Sequence, residues 1–468
     1  MSTKDRKVKV SRRKFLQLTG LSAGAAALTA CGVTTATPAA APAAPAATTA
    51  PAAAAPTDAP AAKSGGTTLE FWAFAEVRLG FVKEIMKTEA WTKAHPDVTV
   101  NFRVFPYREM HDKLLAALTS GTGAPDLADV EISRFSQYIK GERVGFVPLN
   151  NLVAPELDNV YKAAATDPWT WKGQIYGIGN ELNTVVLAYR KDIMDKLNIK
   201  TPFETWDEYI AAGQKVVADG KMKMAAVHDI SWGDYHMMLQ HAGSTLFNES
   251  GEYQADSEKG VLALQFLHDL VYKHKIAGIA PADAQNAWTG PAYWAAFKAD
   301  QFATVWGPPW HMGAFKINAP ELNGKWQAQP LPKGLGDSKP TANFGGTGTV
   351  ITEQSKNVQV AWDLIRLSNL TVPGVMGDFK LRTAYPAYKP AYKDPALKAP
   401  SEYFGGQVIG EIYEKIAPEL TVFRQSPLWP ETTDALTRLV ITPVMQDKKD
   451  PKAALTELRA EVERLKKG

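Results

Sequence analysis

From residue 68 onward the apolar periodicity of this chain alternates between two residues and 3.6. Residues 68–74 read as a strand and 79–94 as a helix ended by His95-Pro96-Asp97. Val98, Val100, Phe102 and Val104 then alternate as in a half-buried strand. A helix over 108–119 carries Leu114, Leu115 and Leu118 on one face, residues 121–125 break it, and 126–132 return to strand. Strand, helix, strand, helix, strand is the start of an open parallel sheet, so the expected class is α/β. Further on, Thr205-Trp206-Asp207-Glu208 is a capping box, in which the Thr hydroxyl and the Glu carboxylate satisfy free N–H groups of a helix start. Val261, Leu264, Leu267 and Val271 form one apolar stripe, and Ala361, Leu364, Ile365 and Ser368 another. Asp450 caps a last helix with Pro451 at its first position and Leu455, Leu458, Val462 and Leu465 on its inner face.

What precedes residue 67 has a different character. The first fourteen residues hold seven Lys and Arg against one Asp, a net of +6 in a chain whose total is +3, so the rest is slightly acidic at −3. That balance leaves no electrostatic footprint for nucleic acid, and none is expected as a partner. An uncharged, mostly apolar run over 15–30 follows, shorter than the roughly 20 residues a membrane span needs, and reads as an export signal. Ser11-Arg12-Arg13-Lys14-Phe15-Leu16 resembles a twin-arginine signal, and Leu28-Thr29-Ala30-Cys31-Gly32 resembles a bacterial lipobox. Residues 1–30 are then a signal peptide cleaved before Cys31, the lipidation site. The only cysteine of the chain is thereby used, so a thiolate metal site, a Cys nucleophile and a disulfide are excluded from the folded part. Residues 31–66, almost all Ala, Pro and Thr, cannot bury a core and form an extended tether. The remaining 402 residues exceed what one core serves, so at least two lobes are expected.

The order of landmarks resembles the bacterial extracellular solute-binding proteins of the maltose-binding, sugar-uptake class. The landmarks are Leu69-Glu70-Phe71-Trp72, Gly123-Ala124-Pro125-Asp126-Leu127, Ile175-Tyr176-Gly177-Ile178, Tyr189-Arg190-Lys191-Asp192, Pro202 through Glu208, Gly307-Pro308-Pro309-Trp310, Pro330-Leu331-Pro332-Lys333-Gly334 and Phe344-Gly345-Gly346-Thr347-Gly348. The resemblance implies the type II periplasmic-binding-protein fold, two lobes joined by hinge strands with a central ligand cleft. Carried over, lobe one is 67–179 plus 347–398 and lobe two 183–343 plus 399–468. Crossings fall near Asn180, Gly345 and the stretch 386–400. Glycines 345, 346 and 348 suit a hinge, since a residue without Cβ absorbs dihedral change easily. They are no dinucleotide fingerprint, for Ile351 stands where a third Gly is needed.

A sugar presents apolar C–H faces and hydroxyl rims, so its site needs aromatic plates flanked by carboxylates, amides and Arg. By position in the family pattern, the resemblance implies Trp72, Glu76 and Arg78 after the first strand, and Glu131 and Ser133 after the third. Asn180 and Glu181 come from the first crossing, and Trp232 and Asp234 from a loop that supplies a stacking aromatic. Trp306, Trp310, Asn343, Arg382 and Trp429 complete the set. Trp171, Trp288, Trp294, Trp326 and Trp362 are assigned to packing, with Trp288 and Trp294 within reach of the cleft. Phe74 stands where the family often has a polar contact, which fits a larger or less polar glycan, or a solute outside the sugars.

The expected function is a non-enzymatic receptor without cofactor, lipid-anchored outside the bacterial cytoplasmic membrane. As a monomer it captures an oligosaccharide and hands it to the transmembrane subunits of an ABC importer. The alternative is a secreted glycoside hydrolase using paired carboxylates, with Glu131 and Glu181 as an open candidate pair. No zincin, nucleophile-elbow or P-loop motif occurs in the sequence, and His236 and His241, five apart, do not share a helix face for zinc.

Overall fold

The computed structural model describes residues 66–141, 143–220, 222–282 and 287–467. The expected signal peptide, Cys31 and the expected tether up to residue 65 lie outside them. Ten strands form two five-stranded sheets. In chain order they are β1 (Thr67–Ala73), β2 (Val98–Val104), β3 (Leu127–Glu131), β4 (Gly177–Gly179), β5 (Val186–Arg190), β6 (Lys223–Val227), β7 (Ala277–Ile279), β8 (Phe302–Gly307), β9 (Trp326–Gln329) and β10 (Thr347–Ile351). The first sheet runs β2-β1-β3-β10-β4 and the second β9-β5-β8-β6-β7.

The three strands expected to open a parallel sheet do so, with β1 parallel to both β2 and β3. Beyond them the sheet is mixed: β10 runs antiparallel to β3 and β4. β2 is an edge strand in which only Val100 is buried. The helix expected over 79–94 is broken into Leu79–Ile85 and Glu89–Ala94. The Thr88 hydroxyl donates to the Ile85 carbonyl (2.7 Å) while Thr88 itself is extended, so the chain turns there although its apolar spacing continues. In the capping box the Glu208 N–H donates to Thr205 Oγ1 (3.2 Å), and the Glu208 carboxylate accepts from the N–H of Glu204, one residue earlier than expected. Asp450 caps the last helix by accepting from the Ala453 N–H (2.7 Å), and Leu455, Leu458 and Val462 are buried beneath it.

The order of strands forces the chain to cross between the sheets. It leaves the first sheet after β4, enters the second as β5, and returns as β10. The outgoing residues 180–185 and the returning residues 341–346 pair antiparallel: the Val185 N–H donates to the Ala342 carbonyl (2.9 Å) and the Phe344 N–H to Asn183 (3.2 Å). A third segment joins at Glu181 and Pro386, where the Leu182 N–H donates to Tyr385 (2.7 Å) and the Ala387 N–H to Asn180 (3.0 Å).

Glycine is required at this crossing for two different reasons. Gly345 and Gly346 have φ of 78° and 118°, and a Cβ on Gly346 would lie 2.3 Å from the Asn183 amide nitrogen of the opposing strand. Gly348 is instead within β10 and serves packing: with Gly177 and Gly179 of β4 it makes a flat floor for the Trp169 indole, whose atoms would lie 2.5 Å from a Cβ at 348. Trp169 is fully buried there, and its Nε1–H donates to the Val130 carbonyl (3.0 Å).

Candidate binding site at the crossing

The end of β3 delivers a polar corner. The Glu131 carboxylate takes three donors on Oε2: Ser133 N–H (2.9 Å), Ser133 Oγ (2.5 Å) and Tyr107 Oη (3.0 Å). Beneath it His111 Nδ1–H donates to the Tyr107 carbonyl (2.7 Å), which leaves Nε2 to accept from the Glu131 N–H (3.2 Å). That tautomer is neutral, and burial pulls His111 down to about 3. Burial pushes the Glu131 carboxyl up, against the pull of the hydrogen bonds from Ser133 and Tyr107. The Arg134 guanidinium lies 5.2 Å over the Tyr107 ring, and Phe74 stands edge-on to the same ring at 5.3 Å. Phe74 thus supports the corner from its apolar side.

The start of the 233–241 helix, the segment after residue 286 and the Pro309–Asn318 helix deliver an aromatic wall. Trp232, Trp288 and Trp310 are each half-buried, and all three pack around Phe344 with ring centroids 5.8, 5.1 and 6.1 Å away. Ser231 Oγ accepts from Trp288 Nε1–H (3.1 Å), and Trp310 Nε1–H donates to the Phe344 carbonyl (3.1 Å). Gly233 is needed for this arrangement, since a Cβ there would lie 2.7 Å from Phe344 and 2.8 Å from Trp288. Wall and corner meet at Gly345 and Gly346. A Cβ on Gly345 would lie 2.7 Å from Trp310 Nε1, and the Gly346 carbonyl accepts from the Ile132 N–H (2.9 Å), next to Glu131.

A second group of expected residues is tied up in ion pairs. Arg78 Nε donates to Asp129 (2.9 Å) and its Nη1 to Glu181 Oε1 (3.4 Å); Arg382 Nη1 donates to Glu181 Oε2 (2.8 Å). Arg382 also forks onto Asp378 (2.6 and 2.6 Å), which accepts from Asn180 as well (2.6 Å). Asp129, Glu181 and Asp378 are at most 4% exposed. Burial raises Asp378 while Arg382 opposes the rise. These side chains lock the first crossing to β3 and to the Val372–Arg382 helix, and both Glu181 oxygens are occupied by arginine.

The remaining expected residues are not themselves part of the wall or the corner, although several pack behind the wall. Glu76 is exposed and paired with Lys83 (2.6 Å), because the turn after β1 points it outward. Trp72 is half-buried edge-on to Phe105 (5.1 Å). Trp306, 2% exposed, donates from Nε1 to Asp234 (2.6 Å). Asn343 is buried in the crossing and donates to the Ala163 and Thr421 carbonyls (3.2 and 3.1 Å). Trp429, expected to stack on a ligand, is 2% exposed and walled in by Phe423 (4.2 Å), Phe247 (5.6 Å) and Trp232 (6.0 Å). Tyr107 was not among the expected residues, and Trp288 was assigned to packing although within reach of the cleft. Nothing in their sequence neighbourhood separates them from packing aromatics. Among the described residues no group of three or more His, Cys, Asp or Glu could hold a metal.

Two α/β halves joined by paired crossing strands, with an aromatic wall and a polar corner meeting at the crossing, define a two-lobed binding protein. Residues 76–367 match the bacterial extracellular solute-binding protein family, and the chain belongs to it. It is 29% identical over 405 residues to the arabinooligosaccharide-binding protein of Halalkalibacterium halodurans, covering 85% of this chain and 89% of that one. It is equally 29% identical over 408 residues to the arabinooligosaccharide-binding protein of Bacillus subtilis, covering 86% and 93%. Among solved structures, the galacto-N-biose-/lacto-N-biose I-binding protein of the ABC transporter from Bifidobacterium longum, in complex with lacto-N-biose, shares the fold. Its TM-score is 0.71 at 19% identity, over 86% of this chain and 98% of that one.

Proposed function

We propose that this protein is the receptor of an ABC importer and captures a neutral oligosaccharide, an arabinose-based one first among candidates. The observation that carries the reading is the meeting of three half-buried tryptophans with the Glu131 and Ser133 corner at the crossing. Flat apolar plates suit sugar C–H faces, and a carboxylate with Oε1 unpaired among the described residues suits a hydroxyl rim. The names of the two arabinooligosaccharide-binding relatives support the ligand class. Trp232, Trp288 and Trp310 are assigned to stacking, Glu131 and Ser133 to hydroxyls, and Trp72 to the cleft margin. Arg78, Asn180, Glu181 and Arg382 support the crossing, while Asp234, Trp306, Asn343 and Trp429 support the wall.

The halves 67–179 plus 347–398 and 183–343 plus 399–468 would act as lobes. A ligand touching both favours the closed arrangement by its differential affinity for it. A glycoside hydrolase needs two carboxylates open to its substrate, one as proton donor and the other as base or nucleophile, and the arginines on both Glu181 oxygens disfavour it in either role. Export under the twin-arginine leader, lipidation at Cys31 and action as a monomer beside the importer's transmembrane subunits complete the reading. No helix among the described residues is long and apolar enough to cross a membrane, so the lipid would supply the anchor. The test is thermal unfolding of the full-length protein against arabino-, galacto- and malto-oligosaccharides, with amino acids and peptides as controls. A sugar at 100 times its dissociation constant adds about 2.7 kcal/mol and is recovered intact. A sugar recovered cleaved, or a shift with the controls alone, refutes the proposal.

A further inference from the structure

His228, directly after β6, is buried at 2% exposure, and each of its ring nitrogens faces an acceptor. Nδ1 lies 2.9 Å from Asp234 Oδ2, and Nε2 lies 2.9 Å from the Ala287 carbonyl oxygen. Asp234 is itself fixed by the His228 N–H (2.7 Å) and by Trp306 Nε1–H (2.6 Å). A neutral imidazole has one N–H, so it would aim a lone pair at one of the two acceptors. Only the imidazolium donates to both, and the Asp234 carboxylate balances its charge. The ring also stacks on Trp288 at 4.0 Å and 28°, with Tyr293 nearly parallel at 5.6 Å. Among the described residues, the titratable groups packed around it are Asp234, Tyr293 and His311. His311 has no hydrogen-bond partner on either nitrogen among the described residues, and burial holds it neutral, down to about 3.

We infer that His228 is an imidazolium that positions Trp288, holding the backbone beside it through Ala287 and its indole by stacking. The inference rests on the receptor reading for Trp288 as a sugar plate, but the charge state of His228 does not. Of two histidines in one aromatic nest, the one with a carboxylate and a carbonyl is charged and the other is neutral. Because His228 is buried and stacked on Trp288, its effect on binding passes through that indole.

Imidazole 15N–1H correlation spectra of the full-length protein at pH 8, without ligand, test the charge state. The expected result is one histidine with both ring nitrogens protonated, identified by its shift in Trp288→Ala, a half-exposed position that tolerates the change. A single protonated nitrogen at that histidine overturns the inference. The coupling is read with arabinotriose by titration. His228→Gln and Trp288→Ala each lose about tenfold in affinity and the double variant no more than either. Additive losses, about a hundredfold in the double variant, overturn the positioning role. Failure of arabinotriose to bind counts against the receptor reading's ligand class, while the spectrum of the free protein still decides the imidazolium.

Discussion

Two carboxylate clusters lie within a few residues of the same crossing, and they are built oppositely. Around Glu181, two arginines and three carboxylates saturate one another in the interior. Around Glu131 the partners are hydroxyls and a backbone N–H, and Arg134 approaches only through Tyr107. A saturated cluster fixes geometry and has little left to offer a solute. A carboxylate whose donors all fall on one oxygen keeps acceptor capacity on the other.

The largest effect expected is a loss of stability in acid, to which the corner contributes through His111 and the saturated cluster through no histidine. His111, His236 and His311 are drawn down to about 3, and His241 to about 4, by burial. Their folded values lie below the unfolded value of 6.5, so the stability they contribute is complete above pH 6.5 and drains away as pH falls toward 3. Each adds about 1.4 kcal/mol per pH unit in that window. Denaturant titrations at pH 7, 5.5 and 4.5 should show a steep loss; a flat profile would contradict neutral burial.

Arg382→Met should cost about 3–5 kcal/mol, because it leaves Asp378 and Glu181 buried with one cation between them and their neighbours. Its denaturation midpoint should fall far more than that of any corner variant. Trp310→Ala should reverse the pattern, losing about 2 kcal/mol of sugar affinity by calorimetry with a smaller loss of stability, since the ring is only half-buried. Glu131→Gln should have the smallest effect, about 1 kcal/mol of affinity. Because burial raises the Glu131 carboxyl, ionising it opposes folding. Its favourable contribution is present below pH 4.5 and is lost as pH rises through the raised folded value, so the glutamine variant should be no less stable at pH 7. Equal stability losses in Arg382→Met and Glu131→Gln would erase the distinction between the clusters.

The three parallel strands that open the first sheet, the capped helices and the arrival of Glu131 at a strand end were legible because they depend on neighbours in sequence. The break at Thr88 was not, since a hydroxyl turned back on Ile85 overrides an apolar stripe that continues past it. Glu181 resembled a ligand residue by position, but its partner Arg382 lies 201 residues away, and only the fold brings them within 2.8 Å. The tryptophans teach the same lesson. Trp429 and Trp288 both sit among polar and turn-forming residues, and what separates them is whether other rings cover their faces: Phe423 and Phe247 close over Trp429, whereas Trp288 stays half-exposed against His228 and Phe344.

The most direct test of the site is a crystal structure of the protein with an arabino-oligosaccharide bound. The account predicts pyranose or furanose rings lying on Trp232, Trp288 and Trp310, a sugar hydroxyl on Glu131 Oε1, and Glu181 still held by Arg78 and Arg382. A sugar bound against Glu181 with those ion pairs broken, or seated away from the three tryptophans, would contradict it.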